Sequence, residues 1–165
     1  MGKINLARVD DRLIHGCVMV KWSKGSGTNA IYVIDNATAA DDFLKMIYVQ
    51  TNSSANLKIK VFSDQELIDK WNKDQFENDK VILIFKSPEA VKKVVDGGVP
   101  IDALNVGGIA KTPQAKFVIS SVGIDDKNEE ILRYLHDEKG VEVYFQIVPD
   151  TPRVEWETAL KKLHG

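Results

Sequence analysis

The residues best suited to chemistry lie near the amino terminus, in the stretch ARVDDRLIHG at residues 7–16. It combines two arginines, two aspartates and one histidine: Arg8, Asp10, Asp11, Arg12 and His15. A neutral imidazole, with an unperturbed pKa of about 6.5, keeps a nitrogen lone pair that can attack phosphorus directly. The stretch therefore favours covalent phosphoryl transfer through His15.

Other groups in the same stretch match a phosphoryl group. The guanidinium groups of Arg12 and Arg8 can form paired hydrogen bonds to phosphate oxygens. Gly16, followed by CVMVKW, predicts a turn that opens a helix, and the free amides of such a helix start, including that of Cys17, suit an anion. Because phosphoryl transfer depends mostly on positioning and on compensating negative charge, these groups could supply most of the catalysis.

The two aspartates support this arrangement. Asp10 or Asp11 would hold an arginine or fix the tautomer of the imidazole. The same carboxylates could bind a metal ion, but His15 is the one nitrogen ligand near them in sequence, which disfavours a metal site. The sequence also has no nucleotide-binding fingerprint, so we expect no metal and no other cofactor.

Other interpretations of the same residues remain open. The charged cluster could be a solvated turn whose surface ion pairs contribute little. Cys17 at a helix start could be a thiolate of low pKa, the nucleophile of a cysteine enzyme. His136, in a charged helix, and His164, next to the carboxyl terminus, lack comparable surroundings. The tryptophans have apolar neighbours typical of core or interface anchors: Trp22, Trp71 and Trp156.

Composition limits the class of protein and its partners. With 165 residues, 44% of them hydrophobic, the chain fits a single domain over residues 1–165. A formal charge of -2 provides too little basic surface for nucleic acid or anionic lipid. No window approaches the roughly 20 apolar residues of a membrane helix, and the start lacks a signal-peptide core, so we expect a cytoplasmic protein.

The elements that must position these residues alternate between strand and helix. Short apolar runs rich in Ile, Val, Phe and Tyr predict strands at residues 4–9, 30–35, 57–62, 80–85, 103–106 and 141–148. Helical patterns occupy residues 41–51, 63–73, 87–98, 125–140 and 151–165. The alternation predicts an α/β fold, an open and mostly parallel sheet with helices on both faces. KFVIS, at 116–120, is a candidate antiparallel or edge strand.

In such a sheet, ligands bind beyond the carboxyl ends of the strands, near the switch in strand order. The loop at residues 10–16 is therefore the predicted site. The ends of later strands supply weaker candidates for the lining of a cleft: Asp35, Ser87, Gly107 and Gly108. For Asp35 and Ser87 the simpler interpretation is a helix cap, and for the glycines a turn with positive φ.

The run INLARVDDRLIHG, residues 4–16, resembles the active-site signature of the B components (EIIB) of the mannose/fructose/sorbose-family phosphoenolpyruvate-dependent sugar phosphotransferase system. His15, the arginine three residues before it and the glycine after it all match. Residues 104–150 resemble that family's Gly-Gly loop, second-half helix and final strand, so the resemblance runs nearly end to end. The chain departs from the family at Cys17, where glutamine is common; either residue offers a backbone N–H.

The resemblance implies a phosphocarrier. Such a B component takes a phosphoryl group from the phosphohistidine of its A component onto Nδ1 of its own histidine, here His15. It then passes the group to a sugar carried in by the membrane C and D components. In the family the preceding arginine, here Arg12, and loop amides surround the phosphate; Asp10 and Asp11 match loop positions, whereas Arg8 is our inference from geometry.

The resemblance also implies transient association with the membrane permease, and overall similarity favours N-acetylgalactosamine over other hexoses as the sugar. Self-association into a homo-oligomer is compatible with the sequence. The alternative function is a non-catalytic regulatory module of the same fold, whose loop holds a free anion or a partner protein without a covalent step.

Overall fold

The computed structural model of the chain describes residues 1–13, 22, 27–50 and 57–165. The strands in these ranges are β1 (Lys3–Asp10), β2 (Ala30–Ile34), β3 (Lys58–Phe62), β4 (Lys80–Phe85), β5 (Ala103–Gly108), β6 (Lys116–Ile119), β7 (Val122–Ile124), β8 (Glu142–Phe145) and β9 (Val154–Glu155). The helices are α1 (Asn36–Ala39), α2 (Asp42–Gln50), α3 (Asp64–Asp74), α4 (Pro88–Asp96), α5 (Asp126–Asp137) and α6 (Trp156–His164). His15, Gly16 and Cys17, and the helix predicted after them, lie outside the described residues.

The main sheet has the strand order β3-β2-β4-β1-β5-β8-β9. Its neighbouring strands are parallel except for β8 and β9, which run antiparallel at one edge. The chain first moves from β1 outward to β3, then returns past β1 to β5 and β8, so the direction of strand order switches at β1. The predicted α/β fold with a mostly parallel sheet is confirmed, and the carboxyl end of β1 lies at the switch point.

Apolar side chains cover both faces of the sheet, as parallel strands require. All of β2 and the last five residues of β4 are buried. The larger core lies on the face that carries α3 to α6 and includes Leu67, Val91, Leu132 and Leu163. The smaller core, on the face that carries α2, includes Ile31, Val33, Ile59 and Val61.

Helix caps fix where the chain leaves β3 and β4. The Ser63 hydroxyl accepts a hydrogen bond from the Glu66 amide and the Glu66 carboxylate accepts one from the Ser63 amide, which is a capping box. Ser87 caps α4, with Pro88 as the first helical residue. The Ser87 cap was predicted from the sequence, and both caps lie at the end of the sheet where β1 ends.

The carboxyl-terminal segment corrects a prediction. The helix expected from Thr151, with Pro152 inside it, begins only at Trp156. The Thr151 hydroxyl instead donates to the Val148 carbonyl at 2.8 Å and closes a turn. The strand expected over 141–148 accordingly ends at Phe145.

The residues between that turn and α6 form β9 and pair with β8. The Arg153 guanidinium lies 3.7 Å from the centre of the Tyr144 ring and binds the carboxylates of Glu142 and Glu155. These contacts hold the segment in an extended conformation. The sequence pattern missed this edge strand because only two residues form it.

The KFVIS segment is antiparallel, as expected, but it does not join the main sheet. Its residues Lys116–Ile119 pair with Val122–Ile124 in a separate two-stranded sheet. The Ile109 amide donates to the Ser121 carbonyl, and the Ile109 carbonyl accepts from the Gly123 amide, which ties this hairpin to the chain that leaves β5. The hairpin therefore stands beside the predicted site.

Candidate functional site

Polar side chains lie beneath the carboxyl end of β1. The adjacent strand β5, and β8 beyond it, end at the same side of the sheet. We call this group the arginine–aspartate cluster; its members are Arg8, Asp10, Arg12, Asn105 and Gln146. Arg8, Asp10 and Asn105 have no accessible surface, and Gln146 is buried as well. Because isolated charges are very costly to bury, the hydrogen bonds of the cluster determine whether this arrangement is stable.

Arg8 lies at the buried end of the cluster. Its Nη1 donates to the Asn105 side-chain oxygen and, at 3.0 Å, to the Gln146 carbonyl. Its Nη2 donates to Asp10 Oδ2 at 3.1 Å. Burial lowers the pKa of Arg8, and the Asp10 carboxylate counteracts that shift. Nη1 and Nη2 are thus bound to protein acceptors and the guanidinium is turned away from solvent, whereas the buried Nε has no hydrogen-bond partner among the described residues.

Asp10 joins the two arginines. Its Oδ1 accepts hydrogen bonds from Arg12 Nε at 2.9 Å and from the Arg12 amide at 3.1 Å, and its Oδ2 accepts one from Arg12 Nη2 at 2.9 Å. Burial alone would raise the pKa of Asp10, but the Arg12 hydrogen bonds and the charges of Arg8 and Arg12 bring it below the usual value. Asp10 is therefore ionised at neutral pH and holds Arg12 in a bidentate clamp.

Arg12 carries the charge of the cluster to the surface. Its side chain keeps 46% of its accessibility, whereas that of Asp10 keeps 1%. The Asp10 hydrogen bonds raise the pKa of Arg12. Asp10 uses one edge of the guanidinium, through Nε and Nη2. Nη1 has no hydrogen-bond partner among the described residues, so its protons can bind an anion.

Leu13, at the end of the described part of this loop, has a positive φ of 58°, and its amide donates to the Asp10 carbonyl at 2.9 Å. A branched side chain rarely adopts this conformation. The chain therefore turns sharply just before the residues that carry His15.

The two glycines at the end of β5 are required by the cluster and not by a turn. Gly107 and Gly108 belong to the strand, and neither has a positive φ, which corrects the interpretation offered from sequence. A Cβ atom on Gly107 would overlap the Arg8 guanidinium, and one on Gly108 would lie 2.5 Å from Asp10 Oδ1. Only glycine lets β5 approach these side chains so closely.

Asp11 has a different role from Asp10. Its Oδ2 accepts a hydrogen bond from the Ala110 amide at 2.7 Å, and its own amide donates to the Gly108 carbonyl at 2.9 Å. These bonds join the loop after β1 to the segment after β5. Asp11 thus contributes to the pKa of Arg12 through charge, and to the site by positioning backbone.

Asp35 and Ser87 lie at the same end of the sheet as the cluster, but they serve as helix caps. Asp35 Oδ2 accepts from the Thr38 amide at 3.2 Å and from its hydroxyl at 2.7 Å. Ser87 Oγ accepts from the Ala90 amide at 3.4 Å. Both side chains form these hydrogen bonds within the helices that follow them. Among the described residues, neither is hydrogen-bonded to the arginine–aspartate cluster.

Sequence reasoning missed three residues that contact Arg8: Asn105, Gln146 and Trp22. The signal for the first two was a polar residue inside an apolar strand run, which needs a buried partner. Trp22 was interpreted only as an anchor, but its ring centre lies 5.5 Å from Arg8 Cζ and its Nε1 donates to the Ile147 carbonyl at 3.4 Å. No sequence spacing predicts that contact.

The described ranges contain neither a metal-binding cluster nor a membrane-spanning helix. Among those residues, no group of three or more His, Cys, Asp or Glu side chains is arranged to hold a metal ion. No helix in the same ranges has the length and apolar character needed to span a bilayer.

Comparisons with known proteins agree with this geometry. Residues 4–164 match the family model described as PTS system sorbose subfamily IIB component. A sorbose-specific EIIB component of Lacticaseibacillus casei is 35% identical over 163 residues, which cover 98% of each chain. The mannose-specific EIIAB component of Escherichia coli K12 is 31% identical over 97% of this chain, which spans about half, 49%, of that relative's length.

A solved structure shows that the similarity extends to the three-dimensional fold. The crystal structure of manxB from Thermoanaerobacter tengcongensis superposes with a TM-score of 0.92 at 39% identity. The superposition covers 100% of this chain and 99% of the other. The similarity therefore includes the whole sheet and the strand ends that form the arginine–aspartate cluster.

Proposed function

Since the chain belongs to the sorbose subfamily of IIB components of the sugar phosphotransferase system, we propose that it is a phosphocarrier enzyme that holds a phosphoryl group on His15. One observation carries the proposal. Arg12, three residues before His15, is clamped by Asp10 at the switch point of the sheet and keeps donors exposed toward solvent. A fixed and exposed guanidinium at this position suits a phosphoryl group.

The proposed transfer needs no added cofactor, since each bond formed to phosphorus replaces one that breaks. A ring nitrogen of neutral His15 forms a bond to phosphorus while the bond between phosphorus and the donor histidine of the A component breaks. The electron pair of that bond returns to the donor ring. In the second step a sugar hydroxyl oxygen attacks phosphorus, and the bond between phosphorus and His15 breaks with its electron pair returning to the ring. The hydroxyl proton ends on the released imidazole. In both steps Arg12 compensates charge on the equatorial oxygens.

The other residues of the site have supporting roles in this proposal. Arg8 acts through Asp10, because its guanidinium is buried and both of its terminal nitrogens bind protein acceptors. The backbone amides of Gly16 and Cys17 supply further donors to phosphate. Asp11 fixes the loop to the chain after β5, and the glycines of β5 make room for the cluster.

The proposed partners follow from the proposed function. The phosphorylated A component supplies the phosphoryl group, and membrane C and D components present the sugar, so the protein acts in the cytoplasm and associates transiently with the permease. N-acetylgalactosamine stays our prediction for the sugar, and homo-oligomer formation stays a prediction as well. No nucleic acid is expected to take part.

Intact-protein mass tests the proposal. The chain is incubated with phosphoenolpyruvate, the general phosphotransferase proteins and a cognate A component, alongside His15→Ala and Arg12→Gln. We expect one acid-labile, base-stable phosphoryl group on the native chain and none on His15→Ala. Loss of one preorganised donor predicts acceptance about 100- to 1000-fold slower in Arg12→Gln.

His136→Ala is the matched control, since His136 is a surface histidine whose ring contacts Asp137 and Trp156. It should be labelled at the native rate. Labelling of His15→Ala, or an unlabelled native chain beside a phosphorylated A component, would contradict the proposal. The second result would favour the non-covalent regulatory module.

A further inference from the structure

We infer that Trp22 is a positioning residue for this phosphoryl transfer, acting on Arg12 through Arg8 and Asp10; the inference rests on the proposed function. The half-buried indole lies against the Arg8 guanidinium, with 5.5 Å between the ring centre and Cζ. Arg8 in turn binds Asp10, and Asp10 binds Arg12. The chain of contacts therefore runs from Trp22 to the exposed guanidinium.

A second contact fixes the indole relative to β8. Trp22 Nε1 donates to the Ile147 carbonyl at 3.4 Å, directly after Gln146, whose own carbonyl accepts from Arg8 Nη1. The indole and Arg8 are thus joined to adjacent peptide groups of the same strand end. Trp22 cannot move without disturbing a contact of Arg8.

The environment of Arg8 determines how strongly it holds Asp10. A guanidinium over an indole face is attracted electrostatically, and the attraction is largest where water is excluded. Removing the ring would admit water beside Arg8 and raise the local dielectric constant, which weakens the Arg8–Asp10 pair. A loosely held Asp10 would leave the orientation of Arg12 less defined.

The position of Trp22 in the chain adds to the argument. Arg12 and Trp22 flank His15 in sequence, and both connect to Arg8, the first through Asp10 and the second directly. One buried guanidinium therefore holds the chain on both sides of the proposed acceptor.

Two substitutions separate the ring contact from mere packing. Trp22→Phe keeps an aromatic face over Arg8 but removes the indole N–H, whereas Trp22→Leu removes the aromatic face. Transfer from the phosphorylated A component is followed in single turnovers over a range of donor concentrations. We expect Trp22→Leu to lower the saturating rate about 10- to 100-fold, with little change in half-saturation, because misplaced groups slow chemistry more than docking. Trp22→Phe should stay within about threefold of the native rate.

Trp71→Leu is the matched control. Trp71 packs edge-to-face against Phe76, with ring centres 4.9 Å apart, on the face of the sheet covered by α3. Its loss should lower the melting temperature and leave the saturating rate unchanged. A Trp22→Leu rate equal to the native rate, or a loss no larger than that of Trp71→Leu, would overturn the inference.

A readout independent of phosphoryl transfer keeps this inference separate from the proposed function. The NMR signal of Arg12 Nε–H reports its hydrogen bond to Asp10 in the unphosphorylated protein. It should shift or broaden in Trp22→Leu and stay near its native position in Trp22→Phe and Trp71→Leu. An unmoved signal in Trp22→Leu overturns the inference even if the native chain is phosphorylated; a moved signal supports positioning of Arg12 even if it is not.

Discussion

Two buried aspartates lie at opposite ends of the sheet and use similar partners to different effect. Asp10, at the carboxyl end of β1, is bound by Arg8 and Arg12. Asp79, just before β4, is bound by the Lys58 ammonium and accepts a hydrogen bond from the Tyr32 hydroxyl. Both carboxyls have a pKa below the usual value, because the partner groups outweigh the effect of burial.

The two sites differ in the net charge of the aspartate and its bound partners. Two cations bind Asp10, so these three side chains together carry one positive charge. The exposed Arg12 guanidinium presents that charge, and the nearby Asp11 carboxylate offsets part of it. Lys58 and Asp79 neutralise each other, and burial together with the Asp79 hydrogen bond raises the pKa of Tyr32, which stays neutral. A buried carboxylate paired with one cation forms a stabilising ion pair. A buried carboxylate paired with two cations, of which one is exposed, leaves a positive group that can bind an anion.

The largest expected effect on the free energy of unfolding comes from removing the Asp10 carboxylate, compared with removing that of Asp79. Asp10→Ala leaves the buried Arg8 charge uncompensated and should lower the free energy of unfolding by about 3–5 kcal/mol. Asp79→Ala leaves a half-exposed lysine and a buried hydroxyl, for which about 1–3 kcal/mol is expected. Urea unfolding of both variants measures the difference. Equal losses would show that the second arginine does not distinguish the two sites.

A smaller effect is expected from Gly107→Ala, which sharpens the comparison without removing a charge. The added methyl group would overlap the Arg8 guanidinium, and such overpacking typically costs about 1–3 kcal/mol. Gly140→Ala, whose Cβ would meet no neighbour but whose φ is +68°, is the control and should cost about 1 kcal/mol. Only Gly107→Ala should also slow phosphoryl acceptance, measured by the mass assay; equal rates in both variants would contradict the role assigned to Arg8.

The smallest effect is the pH dependence of stability. The lowered pKa of Asp79 contributes stability above the unfolded value of about 3.9, and that contribution is lost as pH falls through the folded value. The raised pKa of Tyr32 contributes stability below about pH 10 that is lost as pH rises further. The lowered pKa of Asp10 likewise contributes stability that is lost at acid pH.

Urea unfolding between about pH 2 and pH 11 tests these limbs. Asp79→Asn should flatten the acid limb, and Tyr32→Phe should flatten the alkaline limb. A Tyr32→Phe variant whose stability falls above pH 10 as steeply as that of the native chain would show that this hydroxyl is not the group responsible.

The sequence predicts the sheet well because its strands are long apolar runs that parallel pairing buries on both faces, as in β2 and β4. It also predicts that Arg8, Asp10 and Arg12 share one strand end, because that follows from their spacing. It does not predict that Arg8 points inward. That orientation depends on Asn105 and Gln146, more than 90 residues away, and on glycines that let β5 approach. The strand β9 was missed because tertiary pairing, not periodicity, makes those two residues extended.

Helix α2 has a consequence for how the protein opens. Its apolar side chains at Phe43, Met46, Ile47 and Val49 are largely exposed, and the helix buries none of its residues. An element held by so little buried surface opens locally at a low free-energy cost, well before the sheet unfolds. Each opening uncovers the outer strand β3, at the edge of the sheet, together with its apolar Ile59 and Val61. Such transient exposure of an edge strand is the normal starting point for edge-to-edge aggregation, so aggregation of this protein is expected to begin at α2 and β3.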